Sequence, residues 1–206
     1  MADALDDIRR ALARPAEEVS APRAAAVAAI LGPDRQLWLV ERARRVGDPW
    51  SGHLAFPGGK REPADADLLH TALRETWEEV GLDLGEAELL GRLDDLRSRP
   101  VRDLAVRPFV FATRTVPAFR PNAEVAGVLR VPLDDLLAGV GRGVMRWPVP
   151  VVGVPLPKVD LGGRALWGLT LRMVDDLLHR LDGRGTGLAR PCLDGVVEVA
   201  TLTPNG

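Results

Sequence analysis

Glu75, Glu78 and Glu79 stand at offsets 0, +3 and +4 in "RETWEEVG", and two glycines, Gly58 and Gly59, precede them in "FPGG". On a helix those offsets gather the three side chains on one solution-facing ridge. Unpaired, they repel by about a few tenths of a kcal/mol per exposed i,i+4 pair. A hard divalent cation reverses that balance, because Mg²⁺ is held by one or two carboxylates together with the phosphate oxygens of a substrate. The glycines allow positive φ or close backbone approach, so the loop can fold over the helix and turn a peptide carbonyl or amide inward. A metal-dependent phosphoryl site is the chemistry this set supports. The same residues also suit a charged, solvated helix face, and spacing alone does not separate the two.

The elements that must carry these residues are legible around them. Leu69, Ala72, Leu73, Thr76 and Val80 form one stripe and predict a helix over 66–80, with Asp65 as its cap and Gly81 as its stop. Trp77 lies away from the carboxylates and reads as a structural residue, as does Trp167 ahead of the last helix. Before the helix, residues 43–64 are basic and punctuated by "GDPWSG" and "FPGG", which predicts a long functional loop with a short strand at 53–56. "RAAAVAAILGPDRQLWLVERAR" reads as strand, turn and a second strand at 36–42, although its alanine-rich half also suits a helix.

Further out, Leu5, Ile8 and Leu12 mark a short helix over 4–14, ended by Pro15. "AELLGRLDDLRS" and "LAVRPFVFATRT" read as strands, with Pro108 pointing to an edge or bulge in the second. A short helix starts near Pro132, extended pieces follow at 144–160, and Leu169, Val174, Leu177, Leu178 and Leu181 mark a final amphipathic helix. Asp134, Asp135, Asp175 and Asp176 read as solvated faces. The alternation predicts one α/β domain with a mixed sheet and helices on both faces. Its expected divisions are an N-terminal helix and lead-in at 1–22, the main domain at 23–182 and a glycine- and proline-bearing tail at 183–206.

Composition narrows the function classes. The 27 basic and 29 acidic residues give a net charge of -2, which argues against broad attraction to nucleic acid or an acidic membrane surface. Aromatic content is 4% with no tyrosine, so stacking platforms are scarce. Cys192 is the single cysteine and excludes an internal disulfide. The N-terminus lacks the basic and apolar pattern of an export signal, and the expected location is cytoplasmic.

The stretch from Gly59 to Gly81 resembles the Nudix box of pyrophosphohydrolases: a glycine, an acidic residue, "RE", two positions, "EE", one position and a glycine. Here these are Gly59, Asp65, Arg74, Glu75, Glu78, Glu79 and Gly81. Glycine and arginine stand one residue further apart than usual, and Asp65 or Asp67 takes the place of a glutamate. The wider spacing is characteristic of the coenzyme A pyrophosphatase-like branch, which "FPGGKREPADADLLHTALRETWEEVGL" closely resembles. Trp50, Ser51 and Gly52, followed by His53, depart from the histidine, serine and glycine common in that branch.

The resemblance implies a Nudix-type α/β/α sandwich. It implies that Glu75, Glu78 and Glu79 hold Mg²⁺ or Mn²⁺ with the Gly59 carbonyl, that Arg74 braces loop and helix, and that Glu124 in "NAEVAGVL" adds a ligand or orients water. The proton acceptor is either Glu75 or Glu124. The implied partner is a small nucleotide diphosphate, coenzyme A or an acyl derivative, cleaved to 3′,5′-ADP and 4′-phosphopantetheine. Arg42 and Arg45 match phosphate oxygens by their paired donors. Lys60 lies beside the glycines, while Trp50 and His53 are candidates to cover or bond the nucleotide end. Oligomeric state is left open, with a homodimer among the arrangements allowed. Two other readings are another nucleoside diphosphate conjugate as substrate, and a noncatalytic nucleotide-binding regulator of the same fold.

Overall fold

A computed structural model describes residues 5–48, 50–98, 101–147 and 154–182. The 183–206 tail, with Cys192, and part of the 144–160 stretch lie outside the described residues. In chain order the elements are α1 (Asp6–Leu12), β1 (Arg23–Leu31), β2 (Gln36–Arg42), β3 (Leu54–Ala55), β4 (Gly58–Lys60), α2 (Leu68–Val80), β5 (Glu88–Arg92), β6 (Leu96–Arg97) and β7 (Leu104–Ala112). Then come β8 (Val125–Pro132), α3 (Leu133–Leu137), β9 (Arg142–Trp147), β10 (Val154–Asp160), β11 (Ala165–Trp167) and α4 (Gly168–Asp182).

The mixed sheet runs β3-β2-β1-β7-β5, with β4 on β1, β6 on β7 and β8 on β2. At its centre β1 and β7 pair in parallel along their whole length, Arg23 opposite Leu104 through Leu31 opposite Ala112. The period of two explains why β1 is apolar nearly throughout. Ala25, Ala29 and Leu31 face a core shared with α1, α3 and α4, whereas Ala26, Ala28 and Ile30 face Ala72 of α2. β7 alternates in the same way, sending Val106 and Val110 to the first layer and Phe109 and Phe111 to the second. The result is a sheet between helical layers, the α/β/α sandwich expected. A separate antiparallel sheet, β11-β10-β9, stands beside it. No helix among the described residues is long and apolar enough to cross a membrane.

Several local expectations are corrected. Pro108 is not at an edge, because β7 lies between β1 and β5. Its carbonyl accepts Leu93 N–H at 3.0 Å in the interval between β5 and β6, so the missing proline N–H falls where the neighbouring strand is interrupted. Asp175 is buried against Arg142 of β9, and Asp176 accepts from Asp94 N–H at 2.9 Å and Arg180 Nε at 3.0 Å, so neither is simply solvated. Trp77, read as a structural residue, is 59% exposed. Helix α2 begins at Leu68 rather than 66.

Candidate functional site

The first strand sets the position of the glycine loop. β2 pairs with β1 only near the hairpin, at Ile30 and Leu31, and leaves the earlier half of that edge open. β4 fills it, with Ala25 opposite Lys60, Ala26 opposite Gly59 and Val27 opposite Gly58. Ala28 N–H to Pro57 O at 2.9 Å and Arg61 N–H to Ala24 O at 2.9 Å close the two ends of this short ladder. Gly58 has φ +150°, and a Cβ there would stand 2.3 Å from the Ala26 carbonyl oxygen. At Gly59 a Cβ would meet the Glu75 carboxylate at 2.4 Å. Both glycines therefore let the loop backbone lie directly between β1 and the acidic turn of α2.

Helix α2 is fixed at both ends. Asp67, not Asp65, is its N-cap: its side chain accepts His70 N–H at 2.7 Å. Gly81 closes the helix in the left-handed conformation at φ 62°, returning its N–H to Trp77 O. Asp65 is instead buried beneath the loop. It accepts Glu62 N–H at 2.9 Å, Thr71 Oγ1 at 2.9 Å and two guanidinium donors of Arg74 at 2.9 and 3.0 Å, with His70 Nδ1 at 3.2 Å. The Arg74 hydrogen bonds, joined by those from Glu62, Thr71 and His70, hold its carboxyl well below the ordinary range despite burial. Of the two aspartates considered for the glutamate position, Asp65 is the one against Arg74.

Arg74 braces both elements. It donates to the Lys60 carbonyl at 3.2 Å on the loop and also reaches Glu75 at 3.1 Å and Glu78 at 3.0 Å on the helix. Glu78 stays exposed. Glu75 is held under the loop, where burial raises its carboxyl against the opposing pull of Arg74. Glu79 is only 8% exposed and accepts Gly58 N–H at 3.1 Å. Burial first, then the charges of Glu75 and Glu124, push it up to about 7, opposed by the Gly58 bond and by Arg42.

Glu124 is brought to this corner by the pairing of β8 with β2. β8 pairs with β2 up to Val125 opposite Arg42, across an irregularity at Glu41 and Arg42. The register continues into Ala43 N–H to Glu124 O at 2.8 Å. Arg45 then pairs with the Glu124 carboxylate at 3.2 Å, while Arg42 holds Asp48 at 3.1 Å and keeps Nε buried with no hydrogen-bond partner among the described residues. Arg44, Arg45, Val46 and Ser51 line an open cavity of about 370 Å³ beside them.

The remaining candidates, Trp50, His53 and Lys60, are not among the residues that line that cavity. Trp50 is 39% exposed on the loop, its N–H bound to Asp48 Oδ1 at 3.0 Å. His53 packs edge-on against Trp167, 4.8 Å between ring centres, and its imidazole is lowered by burial and by Arg42. Lys60 is exposed and contributes its carbonyl to Arg74. Asp48 and Asn122 were not singled out from sequence. The signal for Asn122 was present, since an asparagine two residues before Glu124 suits a side-chain turn onto that residue's N–H.

The donor set suits a hard divalent cation: carboxylate oxygens beside a backbone segment, with Glu75 and Glu124 adding negative charge around the buried Glu79. Among the described residues, no group of three or more His, Cys, Asp or Glu side chains is gathered as a ready-made metal site. Arg74 draws Glu75 and Glu78 toward itself, while Glu79 turns to Gly58.

The chain is 35% identical over 162 residues to the mitochondrial coenzyme A diphosphatase NUDT8 of Homo sapiens, covering 75% of this chain and 65% of that protein. It is 36% identical over 110 residues to the uncharacterized Nudix hydrolase NudL of Yersinia pestis, covering 53% of this chain and 54% of that one. It thus spans somewhat more than half the length of these curated relatives. The crystal structure of a MutT NUDIX hydrolase from Burkholderia pseudomallei aligns with a TM-score of 0.48 at 20% identity, over 76% of this chain and 98% of that one. The NUDIX domain model matches residues 21–147, a span that holds the glycine loop, helix α2 and Glu124 together. On that match the chain belongs to the NUDIX domain family.

Proposed function

We propose that the chain is a metal-dependent pyrophosphohydrolase that cleaves the diphosphate of coenzyme A or an acyl-coenzyme A. The observation that carries this reading is the buried Glu79 beneath Gly58, flanked by the charge of Glu75 and Glu124. The 35% identity to a coenzyme A diphosphatase supports the choice of substrate. Glu75, Glu78 and Glu79, with the Gly59 carbonyl and Glu124, are the groups that would hold Mg²⁺ or Mn²⁺. Such an ion supplies charge neutralisation at the diphosphate and makes an attacking water more acidic.

The chain's own residues do the rest. Arg42 and Arg45 present guanidinium donors to phosphate oxygens at the loop mouth, and Lys60 adds positive charge beside the glycines. Arg74, anchored by Asp65, keeps the loop and the acidic turn in register. Glu75 or Glu124 accepts the proton from the water that attacks phosphorus opposite the leaving phosphate. Trp50 and His53 border the volume left for the nucleotide end. Cleavage gives 3′,5′-ADP and 4′-phosphopantetheine, with any acyl group remote from the broken bond.

A panel of nucleoside diphosphate conjugates incubated with Mg²⁺ or Mn²⁺ and resolved by product chromatography tests the substrate. Coenzyme A and its thioesters should be cleaved fastest. Rapid cleavage of a nucleotide sugar or dinucleotide, with coenzyme A untouched, would reject the specificity. Nucleotide binding without metal-stimulated turnover would favour a regulator instead.

A further inference from the structure

The last turn of α2 leaves the carbonyls of Glu78, Glu79 and Val80 without partners inside the helix. One short segment after β7 supplies a donor to each. Asn122 Nδ2 lies 2.9 Å from Glu78 O, Asn122 N–H 2.8 Å from Glu79 O, and Arg120 N–H 2.6 Å from Val80 O. Asn122 uses its remaining side-chain atom in the other direction: Oδ1 accepts Glu124 N–H at 2.8 Å, and its own carbonyl accepts Val125 N–H at 3.3 Å. One exposed residue therefore ties the helical turn that bears Glu78 and Glu79 to Glu124, the residue that leads into β8.

The chemistry of the side chain matters. The primary amide supplies, on two separate atoms, a donor to Glu78 O and an acceptor to Glu124 N–H. The reversed amide would set N–H against N–H and oxygen against oxygen, so the network fixes its orientation. Aspartate keeps the acceptor for Glu124 but turns a carboxylate toward a carbonyl oxygen. Alanine loses both side-chain bonds and keeps the backbone bond to Glu79 O. Asn122 is exposed, and beyond capping the end of α2 its side chain sets the relative placement of the two acidic elements.

We propose that Asn122 is a positioning residue, locking Glu124 against the Glu78–Glu79 turn so that both sets of carboxylates face the diphosphate at a fixed separation. The assignment rests on the hydrolase reading above and is tested by two measurements that fail separately. In the first, Asn122→Ala should speed hydrogen exchange at the Glu124 amide by about tenfold, the scale of one lost hydrogen bond. Asn122→Asp should keep that amide protected. In the second, Asn122→Ala should lower kcat on coenzyme A with Mg²⁺ by about tenfold with KM within about twofold, the pattern of an interaction that serves the transition state. In a Glu124→Gln background the same substitution should change kcat by less than about twofold, because the residue through which it acts is already altered. Unchanged exchange at Glu124 in Asn122→Ala, or an undiminished kcat loss in the Glu124→Gln background, overturns the proposal. A parent chain with no turnover refutes the hydrolase reading, and the exchange comparison then decides the clamp by itself.

Discussion

Replacing Glu79 by glutamine should make the protein more stable above neutral pH, although it removes a group central to the proposed site. Burial, followed by the charges of Glu75 and Glu124, raises this carboxyl from its ordinary 4.5 to about 7. Its folded pKa therefore lies above its unfolded one. Between those two values the folded chain binds more protons than the unfolded chain, so stability is fullest below the unfolded pKa and falls as pH rises through about 7. The shift corresponds to about 3 kcal/mol once the group is fully ionised. Glutamine has nearly the same shape and can still accept the Gly58 N–H, but it carries no charge to bury. Thermal unfolding followed by circular dichroism in chelator-containing buffers should place Glu79→Gln roughly 6–12 °C above wild type at pH 8, on the scale of ~2–4 °C per kcal/mol for chains of this size. The gap should close near pH 4.5, the ordinary value for glutamate. Equal or lower stability of the variant at pH 8 would show that Glu79 is not held as an uncompensated charge, and the reasoning from its burial would fail.

The neighbouring elements give three more expectations. Gly58→Ala should cost at least about 3 kcal/mol by denaturant unfolding, because its Cβ meets the Ala26 backbone, whereas Gly59→Ala meets only the movable Glu75 side chain and should reduce turnover far more than stability. Asp65→Asn should flatten the acid limb of the stability profile. The Arg74 bonds depress this carboxyl below its unfolded value, so the stability it confers is present above the unfolded pKa and is lost as pH falls through the folded one; acid titration of both proteins by fluorescence tests this. Arg142→Ala should destabilise by about 3–5 kcal/mol by leaving Asp175 buried and unpaired, measurable by urea unfolding.

What sequence made legible was local. The stripe through Ala72, Thr76 and Val80 and the left-handed stop at Gly81 are set by neighbours within a few turns and are found where expected, whereas Gly58 and Gly59, read as loop, form the short strand β4 against β1. The acidic ridge was likewise visible by spacing, but its unequal environments were not. Glu78 is exposed and Glu79 buried because β4 crosses above one side of the helix, a consequence of strand pairing with β1. Long-range partners account for the other misses. Asp175 meets an arginine 33 residues away, and Asn122 meets a helix carbonyl 44 residues away, so neither carried a periodic signal of its role. Pro108 misled for a related reason: its missing donor is harmless in a central strand only because the facing chain breaks between β5 and β6.

The most direct test is turnover of coenzyme A at saturating Mg²⁺ by wild type and Glu79→Gln, with products resolved by chromatography. Wild type should release 3′,5′-ADP and 4′-phosphopantetheine in equal amounts. The variant, folded by circular dichroism, should be slower by at least ~100-fold, because a group that arranges the reacting diphosphate is gone. Near-normal turnover by the folded variant would contradict a reaction centred on the turn from Glu75 to Glu79.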